Sequence, residues 1–281
     1  MTNERKQRIG LGRRRIAAVA VFAVWAGASQ VCAETAIIAV ATNFKPVAET
    51  LRPVFEAQST HQITIAAGST GKLAAQIASG APLYLFLAAD DTTPARLITE
   101  GNAIAGSARS YATGALVLWA RGKPIDDPVA ALSNARHIAI ANPALAPYGR
   151  AAQETLVSLG LAETVKPKIV TGENIGQAYA LVASGAAEIG FVAASALIPP
   201  AQDSQAAAPA IAGWRVPDTL HEPIRQDLVL LKHGAQNQAA QDFAAWLGTD
   251  AAREIIAAAG YALPPVETET QPAPQAAPAH Q

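Results

Sequence analysis

Apolar and polar positions between residues 35 and 88 change period several times. Ala36–Ala41 is an unbroken apolar run of strand length, and Val47–Gln58 repeats its apolar positions at helical spacing. Gln62–Ala67 again reads as a strand, Leu73–Ser79 as a helix and Leu83–Ala88 as a strand. This βαβαβ succession predicts an α/β unit with a mostly parallel sheet covered on both faces, because each parallel return needs a helical crossover. The pattern recurs with different residues: a strand over His137–Ala141, a helix from Gly149 to Leu159, a strand at Lys168–Val170, a helix over Ile175–Ser184 and a strand over Glu188–Val192.

Two β-rich stretches fall outside these units, Tyr111–Ala120 and Gln226–Leu231, the second followed by helical patterns over Gln238–Leu247 and Asp250–Ala259. The economical arrangement lets both stretches cross between two lobes, so that the C-terminal helices complete the first. The expected organisation is a leader at 1–33, lobe I at 34–114, lobe II at 115–227, the completion of lobe I at 228–263, and a Pro-, Ala-, Gln- and Glu-rich disordered tail at 264–281. A cleft and a hinge near Ala115–Trp119 and Asp227–Leu231 follow from that arrangement.

Charge changes the picture at one end. The chain of 281 residues carries 21 Lys and Arg against 22 Asp and Glu, yet Arg5, Lys6, Arg8, Arg13, Arg14 and Arg15 all precede residue 16. They introduce the apolar run from Ile16 to Gly27 and the triplet Val31-Cys32-Ala33, the layout of a secretory signal peptide. Cys32 is also placed for a lipoprotein signal, but Val31 stands where Gly or Ala is usual. Removing residues 1–33 takes away those six cations and Glu4, leaving 15 basic and 21 acidic residues and a net charge of −6. Such a chain has no electrostatic footprint for nucleic acid, and without Cys32 it has no thiol chemistry.

Candidate chemistry gathers where strands give way to helices. Gly68-Ser69-Thr70-Gly71-Lys72 suggests a phosphate loop, but that pattern needs Gly where Ala66 stands and Ser or Thr where Leu73 stands. The more general reading is a turn offering hydroxyls and amides to an anion at a helix N-terminus. Thr42-Asn43 ahead of Pro46, Pro147-Tyr148-Gly149, and Glu173-Asn174-Ile175-Gly176 occupy equivalent junctions. Such junctions share the carboxyl edge of a parallel sheet, so four helix N-termini can converge on the cleft and offset about two negative charges. Taken singly, Thr42, Asn43, Ser69 and Asn174 also read as ordinary helix caps, and Tyr148 as a surface aromatic.

Catalytic signals are sparse. His61, His137, His221, His233 and His280 have no metal-ligand spacing, there is no Gly-x-Ser-x-Gly elbow, and Asp90-Asp91 reads as a cap for a helix at Pro94. A scattered Ser, His and Asp triad leaves no sequence signature, and Asp90, Glu173 and His137 are the candidate bases for an enzyme on this scaffold.

The order and spacing of several segments carry a resemblance. They are Ala39-Val40-Ala41-Thr42-Asn43-Phe44, Gly68 to Leu73 with Gln76-Ile77 and Gly80-Ala81-Pro82, Phe86 with Ala89-Asp90, and Gly114 to Trp119. Ile138 to Pro143 leading to Ala146-Pro147-Tyr148-Gly149, Ile175 to Ala178, Gly185 to Val192 and Pro223 to Asp227 complete the set. Over residues 35–262 the chain resembles the periplasmic molybdate-binding proteins of ABC importers, which implies the two-lobed periplasmic-binding-protein fold of the type II class. The resemblance implies an oxyanion held by neutral donors, without a metal or counter-cation: Thr42, Asn43, Ser69 and Thr70 on one wall, Tyr148 and the Ile175 amide on the other. Ala193 stands where some relatives carry a tyrosine, which leaves Tyr148 as the phenol donor, and Tyr84 departs from an acidic or amide residue common in relatives.

The expected function is an exported receptor, not an enzyme, that captures molybdate and tungstate in the periplasm and passes them to a membrane permease, acting as a monomer with no cofactor. Alternatives are a receptor for sulfate or another small oxyanion, a sensor, or an exported enzyme.

Overall fold

The computed structural model describes residues 33–198 and 213–265. The expected leader, save Ala33, and the tail beyond Pro265 lie outside the described residues.

Strand β1 (Thr35–Ala41), helix α1 (Lys45–Ala57), β2 (Gln62–Gly68), α2 (Thr70–Ala78) and β3 (Leu85–Leu87) form the first βαβαβ unit, followed by α3 (Thr92–Thr99). β4 (Arg109–Gly114) and β5 (Leu116–Trp119) lead to α4 (Pro128–Asn134). The second unit is β6 (Ile138–Ala141), α5 (Pro147–Ser158), the short α6 (Ala162–Val165), β7 (Ile169–Gly172), α7 (Ile175–Ala183) and β8 (Ile189–Ala193). β9 (Trp214–Arg215), β10 (Ile224–Leu230), α8 (Gln238–Trp246) and α9 (Asp250–Ala258) close the chain.

The strands make two five-stranded sheets with matching orders, β2-β1-β3-β10-β4 and β7-β6-β8-β5-β9. The sheets are mostly parallel, as expected, with four strands running one way and one reversed in each. β1 runs parallel to β2 and β3, but β10 is antiparallel to both β3 and β4. In the second sheet β6 is parallel to β7 and β8, while β5 is antiparallel to β8 and β9. The reversed strand in each sheet is the one the chain contributes on arriving from the other sheet: β5 enters directly from β4, and β10 enters after β9. The stretch Tyr111–Ala120, expected as one strand, is therefore two, which change sheets at Ala115.

Burial explains the apolar runs. β6 and β8 are buried at every residue, as expected where helices cover both faces of a sheet. In α1 the buried positions Val47, Ala48, Leu51 and Phe55 follow helical spacing onto the first sheet. The same core takes Phe243, Trp246 and Ile256 from α8 and α9. A second core gathers Leu116, Ile138, Leu156 and Phe191 around the other sheet. Tyr84 packs against the first core ahead of β3, where its backbone pairs with Ile37 and Leu231.

In each sheet the first strand of the unit lies between the two that follow it, so the crossovers leave on opposite sides of β1 and of β6. Such a switch point leaves a crevice at the carboxyl ends of the strands.

Candidate functional site

Four helices begin around one small cavity. It is lined by Thr42 and Asn43 ahead of α1, Ser69 and Thr70 at the start of α2, Pro147 and Tyr148 opening α5, and Asn174 and Ile175 opening α7. Two of these helices belong to each sheet. The cavity volume is about 10 Å³, whereas pockets for drug-sized molecules measure roughly 300–1,000 Å³. Walls this close suit a compact ion and no ordinary organic solute. Gly176 permits part of the approach, because a Cβ there would stand 2.8 Å from Thr42 Cγ2.

The six residues picked out from the sequence, Thr42, Asn43, Ser69, Thr70, Tyr148 and Ile175, all line this cavity. Their polar groups are in different conditions. Thr42 Oγ1 and Ser69 Oγ are buried with no hydrogen-bond partner among the described residues. Ser69 occupies the N-cap position of α2 without its side chain capping the helix. Each such hydroxyl costs about 1–3 kcal/mol if nothing meets it. Thr70 Oγ1 accepts from the Ala89 amide at 3.2 Å, which leaves its own proton to donate. Ile175 is the first residue of α7, where a backbone N–H has no intrahelical acceptor. Asn174 is an ordinary cap, accepting from Gln177 N at 3.1 Å.

Asn43 lines the cavity, but its side-chain amide is committed behind it. Nδ2 donates to Gln226 Oε1 at 2.8 Å and to the Tyr261 hydroxyl at 3.1 Å. Gln226, fully buried on β10, also accepts from the Tyr111 hydroxyl at 3.1 Å and donates to the Tyr148 hydroxyl at 3.2 Å. Tyr261 donates to the Asn43 carbonyl at 2.9 Å and meets Ser195 Oγ at 3.0 Å. Phe44 fixes this layer by meeting Tyr111 and Tyr261 edge-on, at centroid distances of 4.7 and 5.4 Å.

Burial makes these phenols reluctant to ionise. It holds Tyr148 and Tyr111 well above the usual tyrosine value, with the nearby Tyr261 oxygen adding to the effect, and pushes Tyr261 up to about 12. All three are neutral hydroxyls at physiological pH, and the Tyr148 hydroxyl also hydrogen-bonds Tyr261 and Asn43.

Full charges stand at the rim instead. Lys72 Nζ on α2 pairs with Glu173 Oε1 before α7 at 2.9 Å, and Arg150 on α5 pairs with Asp90 at 2.9 Å. Asp90 Oδ1 also accepts from Thr93 N at 3.0 Å, so it caps α3. A backbone bond from Gly71 N to Leu145 O, 2.9 Å, joins the same two sides. Of the candidate bases, Asp90 and Glu173 are thus held in ion pairs. His137 lies beside Glu188 and is half exposed, outside the cavity.

Sequence reasoning missed the residues behind the cavity. Tyr111, Ser195, Gln226 and Tyr261 lie on four separate segments; the last three reach Asn43 or Tyr148 across 78 to 218 positions, and Tyr111 reaches Gln226 across 115. Gln226 stands in the segment Pro223 to Asp227, but nothing in its spacing signals a buried amide.

The description of the bacterial extracellular solute-binding proteins matches residues 36–262. The chain is 45% identical over 249 residues to the molybdate-binding protein ModA of Azotobacter vinelandii, covering 86% of this chain and 96% of that one. It is 42% identical over 257 residues to ModA of Rhodobacter capsulatus, covering 91% and 97%. The solved structure of the Azotobacter vinelandii periplasmic molybdate-binding protein superposes with a TM-score of 0.75 at 40% identity, over 82% of this chain and 100% of that chain.

Proposed function

Because this chain belongs to the bacterial extracellular solute-binding proteins, we propose that its cavity captures molybdate in the periplasm for delivery to the permease of an ABC importer. The observation that carries this reading is the pair of buried hydroxyls, Thr42 Oγ1 and Ser69 Oγ, that have no partner among the described residues and are set where four helix N-termini meet. Each N-terminus contributes roughly half a positive charge, so four offset about the two charges of the anion without a side-chain cation. The names of relatives 42% and 45% identical support molybdate as the ligand.

Thr42, Ser69, Thr70 and Tyr148 act as side-chain donors, with Ile175 donating through its backbone and Asn43 bracing the first wall. Molybdate and tungstate are fully deprotonated near neutral pH and only accept hydrogen bonds, so both fit a donor-lined cavity. Sulfate shares that chemistry but is a smaller tetrahedron, and donors set for molybdate stretch to reach it. The sheets act as two lobes, with hinges at Ala115 and in the connection from β9 to β10, and the anion enters as the walls part. Residues 1–33 are the export signal.

The test is thermal unfolding of the mature protein with molybdate, tungstate, sulfate, phosphate or nitrate in excess, since a ligand of the native state raises the midpoint. A rise with molybdate and tungstate alone is expected. A rise with sulfate replaces the proposed specificity, and no rise with any of the five overturns the receptor reading.

A further inference from the structure

The first sheet ends on an edge that is only partly covered. β4 is its last strand. On the outer side of β4, Ala262 exchanges backbone bonds of 2.8 and 3.0 Å with Thr113, and no further strand follows among the described residues. Beyond that bridge lies a groove of about 670 Å³, lined by Ser110 and Tyr111 of β4, Leu228 of β10, and Pro264 and Pro265 of the departing chain. A second hollow of about 420 Å³ shares Arg109 and Leu228 with it and continues past the start of β4 to Gly106.

The groove is basic. Arg109, Arg225 and Arg253 all line it. Arg109 donates to the Ala244 carbonyl, and Arg253 holds the departing chain by donating to the Pro264 carbonyl at 2.9 Å. Neither Arg225 nor Arg253 is in an ion pair among the described residues. Asp227, the carboxylate near Arg225, accepts from Ser110 Oγ at 2.5 Å.

The chain itself supplies the complement. Pro265 is followed by Val266-Glu267-Thr268-Glu269-Thr270, and Glu267 and Glu269 are the acidic side chains between Val266 and Gln281. β-branched residues alternate with acidic ones, the pattern of a strand with one charged face, and Pro272 ends it. Five extended residues reach roughly 17 Å, enough to carry the chain from Pro265 past Arg109.

We propose that the basic groove along β4 is the docking surface for this chain's own residues 266–270, whose two glutamates meet the arginines while the segment covers the open edge of the sheet. An uncovered edge is a template for pairing with another chain, and the chain's own continuation removes that hazard. Tethering makes the contact intramolecular, so pairs that are weak at a surface suffice. The disordered tail expected from composition then starts at Gln271. No residue of the groove lines the anion cavity, so the inference holds whichever anion the cavity takes.

The experiment is hydrogen exchange read by mass spectrometry on the mature protein at low salt, in the wild type and in the double variant Glu267→Lys, Glu269→Lys. These substitutions leave every residue of the two sheets unchanged. In the wild type, the amides of residues 266–270 are expected to exchange at least about tenfold more slowly than in a free peptide of the same sequence. Reversing the two charges is expected to bring them within about twofold of the peptide rate, and adding Arg225→Glu and Arg253→Glu to the reversed tail to restore protection. The tail variant decides alone if the arginine substitutions prevent folding. Peptide-like exchange in the wild type, or protection that survives charge reversal, overturns the proposal. Protection that disappears on dilution overturns it as well, because the segment then occupies a second copy of the chain.

Discussion

The cavity and its rim solve the same electrostatic problem in opposite ways. At the rim, Lys72, Glu173, Arg150 and Asp90 are charged and paired across the two sides. Inside, Thr42, Ser69, Thr70 and Tyr148 are neutral, and two of their hydroxyls have no partner among the described residues. A lysine in the cavity would attract any anion and would cost several kcal/mol as an unpaired buried charge between binding events. Neutral donors avoid that cost and choose by geometry and protonation. The contrast also accounts for Lys72, whose place in a Gly-Ser-Thr-Gly-Lys stretch suggests a phosphate ligand. Its ammonium is half exposed and bound to Glu173, so it holds the two sides together.

Substitutions that erase this contrast should have the largest effects. Gly114→Ala forces its methyl group against both Tyr148 and Gln226. It is expected to cost about 1–3 kcal/mol of stability by overpacking and to weaken molybdate binding by more than either side chain's removal, as read by calorimetry beside a thermal melt. Thr42→Val and Tyr148→Phe each delete one donor and are expected to weaken binding by about 1–3 kcal/mol. Unchanged affinity in both variants would remove these residues from the site. Lys72→Met breaks a rim pair whose members are 52% and 39% exposed, so a change below about 1 kcal/mol, shrinking as salt is added, is expected. A loss as large as that of Thr42→Val would place the cation in anion recognition and end the distinction between cavity and rim.

What was legible in the sequence follows the range of the interactions. Thr42, Ser69, Tyr148 and Ile175 stand where an apolar run ends and a helical period begins, and that local signal marks the carboxyl edge of a sheet. Their convergence on one cavity follows once the two units face each other. Asn43 shows where the reading thins: its position lines the cavity, but its amide is turned to Gln226 and Tyr261, more than 180 positions away. No periodicity reports such a partner. Strand direction was hidden for a related reason, since β5 and β10 look like any apolar run until the chain's passage between sheets fixes which end enters first. Helix α4, capped by Asp127 through Ala130 N, is short, with Leu132 as its buried residue, too weak a pattern to stand out.

The central claim is that a dianion is held here by neutral donors alone. A crystal structure of the mature protein grown with molybdate, with the metal located by its anomalous scattering, tests it most directly. The account predicts molybdate oxygens within hydrogen-bond distance of Thr42 Oγ1, Ser69 Oγ, the Tyr148 hydroxyl and the Ile175 amide, with Lys72 and Arg150 still paired to Glu173 and Asp90. An anion seated on either cation, or a Tyr148 hydroxyl turned away from it, would contradict the account.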